Sequence, residues 1–430
     1  MTDPARRDLL CRPVEHVDIR AFDARPVIDQ FRPTAIQARN LARAADICSE
    51  MLADRECTAI LTLAGSLVSA GLKKALVTLI DSGMVDVVVS TGANMVDQDF
   101  FEALGFRHYM APGSPEHPVV PDERLRELAI DRIYDTYIDE RELRVCDRTM
   151  RRIFDRLPAR PFSSREILTE MGRFLDASFP ESESVVLSAY RKGVPVFVPA
   201  LSDSSAGFGI VLHQATAARE GRESVSLDSG RDFLELARIK LASRATGLLM
   251  LGGGVPKNFA QDIVVAAEML HEEAASSGRA SAAAGGTGAA AATEDGAGAA
   301  MPAEDGTGAA MPAEVSMHRY AVQLTVADSR DGALSGSTLR EATSWGKVES
   351  TREQMVFCEA TLGFALLASD AWHRRAWEGR PERRFADWLE EQAGRGREDV
   401  PSCAIPRGSV VMNELTGSSG RFPAVRFPPS

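Results

Sequence analysis

The sequence predicts an α/β protein built on a doubly wound parallel sheet with helical additions. Its 430 residues alternate between short, continuously apolar runs and segments with helical periodicity. Strands that are apolar on both faces are typical of a parallel sheet that helices cover on both sides. Several of the apolar runs end in glycine-rich or small polar turns, and ligands of such sheets bind at the carboxyl ends of the strands.

The individual elements follow from these patterns in chain order. Apolar, β-rich runs predict strands at 58–65, at 84–94 together with its following turn, at 194–201, 246–254 and 319–327, and at the start of 352–372. Helical periodicity predicts helices at 66–83, 97–105 and 231–243, and over the remainder of 352–372. The alternation of strand and helix is the pattern of an open sheet wound in both directions.

One segment departs from this alternation. Residues 272–315 are rich in Ala, Gly, Ser and Pro and contain the near-repeat EDGAGAAMPA, EDGTGAAMPA. Such residues bury too little apolar surface to offset the chain entropy lost on ordering, and two repeats are too few for a solenoid. We therefore predict a disordered surface insertion within a catalytic domain of residues 1–372. A C-terminal extension with a loose tail, residues 373–430, would follow the domain.

Composition excludes several classes of protein. The formal net charge is −12, which argues against a nucleic acid as partner because phosphate binding needs clustered Lys and Arg. The six cysteines show no CxxC or His-paired spacing, so we predict reduced thiols and no metal site. The first residues lack the apolar core of a signal peptide, and no run of apolar residues is long enough to span a membrane. A cytoplasmic protein is expected.

Four turns are candidates for a ligand site: AGSLVS, STGAN, ALSDSSAG and LGGGVPKN. Small residues let a ligand approach the backbone closely, and a helix that begins after such a turn favours phosphate. None of the turns is the GxGxxG fingerprint of an ordinary dinucleotide-binding dehydrogenase. Each turn taken alone could simply end its strand. Four turns at successive strand ends would meet at one edge of the sheet, which favours a shared ligand.

Five segments in this order carry a family resemblance: GSLVSAGL, MVDVVVSTGAN, PVFVPALSD, LLMLGGGVPKN and EATSWGK. Together, over roughly residues 30–372, they resemble the deoxyhypusine synthase family, and most closely its archaeal-type and bacterial deoxyhypusine synthase-like branch. The resemblance implies a Rossmann-like sheet, a homotetramer, and NAD bound at subunit interfaces. It also implies an NAD-dependent aminobutyl transferase. Such an enzyme oxidises a polyamine, captures its four-carbon unit as an imine on a lysine, and passes this unit to an amine.

Two acceptors are compatible with that resemblance. In the true synthases the acceptor is a lysine of a hypusine-bearing translation factor, and in close relatives it is putrescine, which gives homospermidine. The resemblance also leaves undetermined which polyamine or diamine is the substrate. A separate alternative is a catalytically degenerate homologue that binds NAD and polyamine without turnover.

The resemblance assigns the imine to Lys347. A lysine attacks an imine carbon only when its amine is neutral, and a free lysine has a pKa of about 10.4. Apolar surface such as Trp345, or a nearby cation, would lower that pKa. Trp345 could also stack on a substrate ammonium, and Glu341 would pair with a substrate amine. Asn258 replaces a histidine of the eukaryotic synthases; it can bind the substrate by a hydrogen bond to an amine but cannot accept a proton at neutral pH.

The resemblance also matches cofactor-contacting positions to the strand-end turns. These are Gly65, Ser66, Leu67, Val68 and Ser69; Ser90, Thr91 and Gly92; Asp203; Thr325 and Val326; and Glu359 and Ala360. Asp97 or Gln98 lies near the family's ribose-binding acid. Phe208 and Leu334 replace two acids that grip the polyamine, so a donor with fewer charges than spermidine is expected. His213 is either a replacement base at a strand end or, more in keeping with a lone histidine, a packed structural residue.

Overall fold

The computed structural model describes residues 4–113, 120–284, 314–328, 330 and 337–395. Its centre is a six-stranded sheet, and smaller sheets lie beside it. In chain order the strands are β1 Cys57–Leu63, β2 Val87–Ser90, β3 Tyr109–Met110, β4 Ile130–Ile133, β5 Thr136–Asp139, β6 Pro161–Phe162, β7 Val196–Phe197, β8 Ser226–Leu227, β9 Ala245–Leu251, β10 Tyr320–Thr325 and β11 Glu353–Phe357. The main sheet has the order β11-β10-β9-β1-β2-β7, and all neighbours in it are parallel. This confirms the predicted fold class.

Helices connect the strands and cover both faces of the main sheet. They are α1 Pro4–Leu9, α2 Arg25–Phe31, α3 Ile36–Ala53, α4 Lys73–Asp81, α5 Phe101–Ala103, α6 Asp122–Glu127, α7 Glu140–Phe154, α8 Ser164–Ser178, α9 Val185–Lys192, α10 Ser205–Arg219, α11 Ser229–Ala242, α12 Gly254–Ala284, α13 Leu339–Ser344, α14 Ala360–Arg374 and α15 Phe385–Arg395. Two π-helical segments, Val68–Leu72 and Ala93–Phe100, lead into α4 and α5. Within the described residues, no helix is both long and apolar enough to cross a bilayer.

The strands are apolar along their length because successive side chains enter different cores. In β1, Leu61 packs into a core formed with α3, α4 and α14. Its neighbour Ile60 packs into the core formed with α11, α12, α13 and α15. All seven residues of β1 are buried. Side chains of a strand alternate between faces, so burial on both faces produces the continuous apolar run in the sequence.

Three local features differ from the expectations. The predicted strand 194–201 is paired only at Val196–Phe197. The predicted helix 66–83 begins as a π-helical turn, because Gly71 has a φ of 93° and interrupts the α-helical path. Helix α12 continues to Ala284, well into the segment predicted as a disordered insertion from residue 272. Alanine is the strongest helix former, and residues 272–284 are richer in alanine than in glycine. Residues 285–313 lie outside the described part of the chain.

The C-terminal extension is attached to the main sheet through a buried carboxylate, Asp86. The guanidinium of Arg380 donates to Asp86 Oδ2 at 2.6 Å and to the carbonyl of Cys57 at 3.0 Å. Asp86 also accepts from the backbone N–H of Ala59 at 2.8 Å and pairs with Arg383 at 3.3 Å. The side chains of Arg380 and Asp86 are 1% and 4% exposed. Residues 373–395 are therefore part of the folded structure.

Replacement of Arg380 by alanine is expected to destabilise the protein by about 3 kcal/mol, because the buried carboxylate of Asp86 then keeps only its longer ion pair, with Arg383, and its bond from Ala59. Urea unfolding followed by circular dichroism measures the change. The matched control is Arg375→Ala, since the side chain of Arg375 is 72% exposed and its pair with Glu378 contributes about 0–1 kcal/mol. Equal effects of the two variants would contradict a structural role for the buried pair.

Candidate active site

The turns after β1 and β2 are joined by one buried side chain, that of Asn94. Its Oδ1 accepts from the backbone N–H of Leu67 at 2.8 Å, and its Nδ2 donates to the carbonyl of Ala64 at 3.1 Å. The hydroxyl of Thr91 donates to the carbonyl of Gly65 at 3.1 Å. Because the strands are parallel, both turns lie at the same edge of the sheet. The first two predicted cofactor segments are therefore adjacent.

The turn after β7 meets the turn after β2 at Gly92. A Cβ atom at Gly92 would lie 2.6 Å from the Cβ of Ser204 and 3.2 Å from the carbonyl oxygen of Asp203. A side chain at this position would push the two turns apart, so the close approach requires glycine. The side chain of Asp203 is exposed at this edge.

Asp97 is the partly exposed carboxylate beside these turns. Its Oδ1 accepts from the backbone N–H of Ser205 at 2.6 Å. Burial raises the pKa of Asp97 to about 6, and the nearby carboxylates of Asp147 and Asp203 act in the same direction. The alternative candidate, Gln98, is fully buried, and its Oε1 accepts from the N–H of Ser69 at 2.8 Å. Of the two, Asp97 has the carboxylate and the exposure that ribose binding requires.

The remaining predicted cofactor residues lie at the ends of β10 and β11. The hydroxyl of Thr325 accepts from the N–H of Ala327 at 3.0 Å, and Val326 is 71% exposed. Glu359 caps α14 by accepting from the N–H of Thr361 at 2.9 Å. Burial opposes ionisation of Glu359, but the hydrogen bonds from Thr361 outweigh it and lower the pKa. Ala360 is the first residue of α14. The carboxylate of Glu359 therefore caps this helix in addition to any contact with a ligand.

Lys347 lies on a backbone that is held from both sides. Its N–H donates to the carbonyl of Ala342 at 2.9 Å, and its carbonyl accepts from the N–H of His318 at 2.9 Å. Its Nζ forms an ion pair with Asp262 on α12 and lies 5.1 Å from the centre of the Trp345 ring. Asp262 is a candidate functional residue that the sequence patterns did not indicate. A carboxylate one helical turn after Asn258 was the available signal, because residues four apart share a helix face.

The two residues expected to assist Lys347 have different surroundings. Trp345 is 70% exposed and its ring lies near the ammonium of Lys347, whose side chain is 19% exposed. The carboxylate of Glu341 accepts from the N–H of Thr338 at 2.6 Å in a capping box at the start of α13. Glu341 thus positions the helix that leads to Lys347, and its free lone pairs face solvent.

A second lysine, Lys257, is buried close to Lys347 and was not predicted as a site residue. Its Nζ donates to the carbonyl of Ser337, and the hydroxyl of Ser337 lies 3.2 Å away. Burial lowers the pKa of Lys257 to about 8; the carboxylate of Glu341 opposes this shift and Lys347 adds to it. Lys257 therefore joins the first turn of α12 to the segment before α13 and contributes positive charge beside the predicted nucleophile.

Comparison with known proteins identifies the family. The family model for deoxyhypusine synthase matches residues 26–371. The chain belongs to the deoxyhypusine synthase family. A deoxyhypusine synthase-like protein of Chlorobaculum parvum is 50% identical over 381 residues, which are 89% of this chain and 95% of that protein. One from Caulobacter vibrioides is 47% identical over 381 residues, 88% and 91% of the two chains. "Probable deoxyhypusine synthase 2" of Methanosarcina mazei is 33% identical over 357 residues, 83% and 88% of the two chains.

The three positions at which departures from the eukaryotic pattern are expected are exposed or outside the described residues. Asn258 is exposed on the first turns of α12. Phe208 is 64% exposed on α10, so it does not fill apolar space within the chain. Leu334 lies outside the described residues.

His213 is a structural residue. It lies on α10, whereas a position at a strand end was expected. Its Nδ1 lies 2.7 Å from Asp155 Oδ1, and its Nε2 accepts from the N–H of Val225 at 3.1 Å. Because both ring nitrogens are used and the residue is 3% exposed, His213 is not available as a replacement base.

The two parts of the predicted site lie apart within one chain of this deoxyhypusine synthase family member. The cofactor turns follow the carboxyl ends of the strands. The carbonyl of Lys347 pairs with His318, which precedes the amino end of β10 at Tyr320. β10 has six residues and therefore spans roughly 20 Å. Lys347 belongs to the helical layer on one face of the sheet, and the turns belong to its edge.

Asp97→Asn is expected to stabilise the protein by about 1–3 kcal/mol at pH 8 and to leave it nearly unchanged below about pH 4. The folded-state pKa of Asp97 is about 6 against an ordinary value of 3.8, so ionisation between these values disfavours the folded state. Asparagine keeps the acceptor for Ser205 and never ionises. Urea unfolding of both proteins across this pH range measures the difference. A variant that is no more stable than its parent at pH 8 would rule out this burial effect.

Proposed function

We propose that the protein is an NAD-dependent aminobutyl transferase in which Lys347 forms the imine. The observation that carries the proposal is the ion pair between Lys347 and Asp262, in a chain that belongs to the deoxyhypusine synthase family. A lysine on a fixed backbone, facing a carboxylate and an aromatic ring, is suited to binding and covalently capturing a cationic amine. The function of the deoxyhypusine synthases supports transfer of an aminobutyl group.

The edge of the sheet fits a dinucleotide. The buried hydroxyl of Ser90, in the turn after β2, has no hydrogen-bond partner among the described residues, and a ligand at the edge would supply one. Gly65, which has a φ of 60°, and Gly92 leave room for close approach to the backbone. Asp97 and Asp203 are the carboxylates available for ribose hydroxyls. When bound, NAD would accept the hydride that is removed from the amine substrate.

Asp262 supplies what Asn258 lacks. Lys347 must lose a proton before it attacks, and Asp262 is in direct contact with its Nζ. We infer that Asp262 receives this proton and later returns it to the amine that leaves the substrate. The attack forms a bond from Lys347 Nζ to the imine carbon of the oxidised substrate, and the amine on that carbon leaves with a proton. A positioned acid or base contributes about 10²–10⁴-fold to such a step.

The charge of the predicted substrate site favours one class of amine donor and leaves two acceptors. Phe208 and Leu334 occupy positions where the synthases have acids, which supports a donor with fewer positive charges than spermidine. The acceptor is a protein lysine, giving deoxyhypusine, or a diamine such as putrescine, giving homospermidine.

The scattered, reduced cysteines support a cytoplasmic location for this reaction.

We also propose that the active site forms between two copies of the chain, within a homotetramer. The separation of Lys347 from the cofactor turns supports this, since a second copy can bring its edge to the first copy's lysine. Large apolar side chains are exposed on elements that border both parts. They include Phe208 at 64%, Val326 at 71%, Leu362 at 64% and Trp345 at 70%. Exposed apolar patches of this kind mark interaction surfaces.

Borohydride reduction tests the imine. With NAD and putrescine, spermidine or agmatine supplied separately, an aminobutyl adduct is expected on Lys347 and not in Lys347→Arg, with peptide mass spectrometry as the readout. Asp262→Asn is expected to slow adduct formation by about 10²-fold. Glu268→Gln, which removes an exposed carboxylate from the same helix, is the matched control. NAD binding without any adduct would instead favour a degenerate homologue that binds its ligands without turnover.

Mixing two inactive variants tests the shared site. Lys347→Ala lacks the nucleophile, and Asp203→Arg obstructs the cofactor edge. If each site takes its lysine and its edge from different chains, random co-assembly restores about a quarter of the activity, because half of the lysines and half of the edges are intact. A site within one chain would recover none. Activity assays of co-expressed, differently tagged chains provide the measurement.

A further inference from the structure

A buried chain of hydrogen bonds lies beneath Lys347, and none of its members is used by the proposed reaction. Lys240 Nζ donates to the hydroxyl of Thr246 at 2.8 Å. That hydroxyl lies 2.8 Å from His318 Nδ1, and His318 Nε2 lies 3.0 Å from the carbonyl oxygen of Ala260. The side chains belong to α11, β9 and the segment before β10, and the chain ends on α12.

The partners define which ring nitrogen of His318 carries the proton. A carbonyl oxygen can only accept, so Nε2 donates to Ala260. Burial lowers the pKa of His318 well below its ordinary value, and the positive charge of Lys240 adds to this shift while the bond to Ala260 opposes it. The ring is therefore neutral, and Nδ1 accepts from the hydroxyl of Thr246. Thr246 in turn accepts from Lys240, so the chain is directional and every member is paired.

The backbone of His318 holds the segment that carries Lys347. Its N–H donates to the carbonyl of Lys347 at 2.9 Å, and its carbonyl accepts from the N–H of Glu349 at 2.9 Å. Val348, between them, is fully buried. His318 thus contacts both parts of the site. Its main chain bonds to the backbone around Lys347, and its ring bonds to α12. The carbonyl that accepts from the ring belongs to Ala260, two residues before Asp262.

We propose that His318 is a positioning residue that sets the placement of Lys347 relative to Asp262. This inference rests on the proposed function for its catalytic consequence, although the placement itself can be measured separately. His318 is 0% exposed, and an apolar side chain would fill the same space without the cost of burying polar atoms. The directional bonds restrict how α12 can shift or rotate against the lysine segment. A displacement of 1 Å at a reacting group can lower a rate by about 10²-fold.

Two amide variants separate the two hydrogen bonds of the ring. The amide nitrogen of glutamine reaches about as far as Nε2, so His318→Gln can still donate to Ala260, whereas the shorter amide of His318→Asn reaches only the level of Nδ1. His318→Asn is expected to slow formation of the Lys347 adduct about 10–100-fold with NAD affinity nearly unchanged. His318→Gln is expected to retain most of the rate. Thr246→Val, which removes the central hydroxyl at nearly constant volume, should show a smaller loss and serves if His318→Asn folds poorly.

The same proteins are labelled with formaldehyde and cyanoborohydride, and modification of Lys347 is compared with that of surface Lys192 by mass spectrometry. A changed Lys347:Lys192 ratio in His318→Asn, but not in His318→Gln, supports the positioning role even if no polyamine adduct ever forms. That combination would refute the proposed function alone. Equal losses in both variants, in proportion to their loss of thermal stability, would overturn the positioning role. Unchanged labelling and unchanged adduct rates in His318→Asn would overturn it as well.

Discussion

Parallel pairing of the six central strands is the constraint on which the other features depend. Parallel strands are joined by crossovers, so every strand points its carboxyl end to one edge and every return helix runs back across a face. The turns that hold Asn94 and Gly92 therefore meet at that edge. The same requirement sends α12 and α13 back along one face, which brings Asp262 and Lys347 together in a helical layer. The strand-end turns at the sheet edge and the helical layer around Lys347 are thus separate parts of the same fold.

Sequence patterns could predict the strands and turns, because burial on both faces leaves a signal in local composition. The strands β1, β9 and β10 lie within a few residues of their expected bounds. Local composition does not indicate Asp262 or Lys257, and the available signal for Asp262 was its position one helical turn after Asn258. Each is one of several polar residues on α12, and its role arises only where a segment distant in sequence crosses this helix. The pair of Arg380 with Asp86, 294 residues apart, is hidden for the same reason.

The buried polar groups around Lys347 show how the fold can fix the position of this side chain. Lys240, Lys257 and His318 are each almost fully buried there, and each has a hydrogen-bond partner. Burial lowers the pKa of all three. Unpaired polar groups in a core cost stability, but paired ones restrict geometry in a way that apolar contacts do not. The cost is justified where a side chain must be held in one place.

The position of Trp345 connects this rigidity to assembly. The ring lies near Lys347 Nζ and is mostly exposed, and the Lys347 side chain is 19% exposed, so a single chain shields the amine from water only in part. An imine would hydrolyse readily in such a setting, because water must be kept from a reactive intermediate. A second copy that covers Trp345 with its own apolar edge would exclude water and deliver the cofactor turns together. Rigid placement of the lysine by its own chain and closure by another chain are then complementary requirements of the same chemistry.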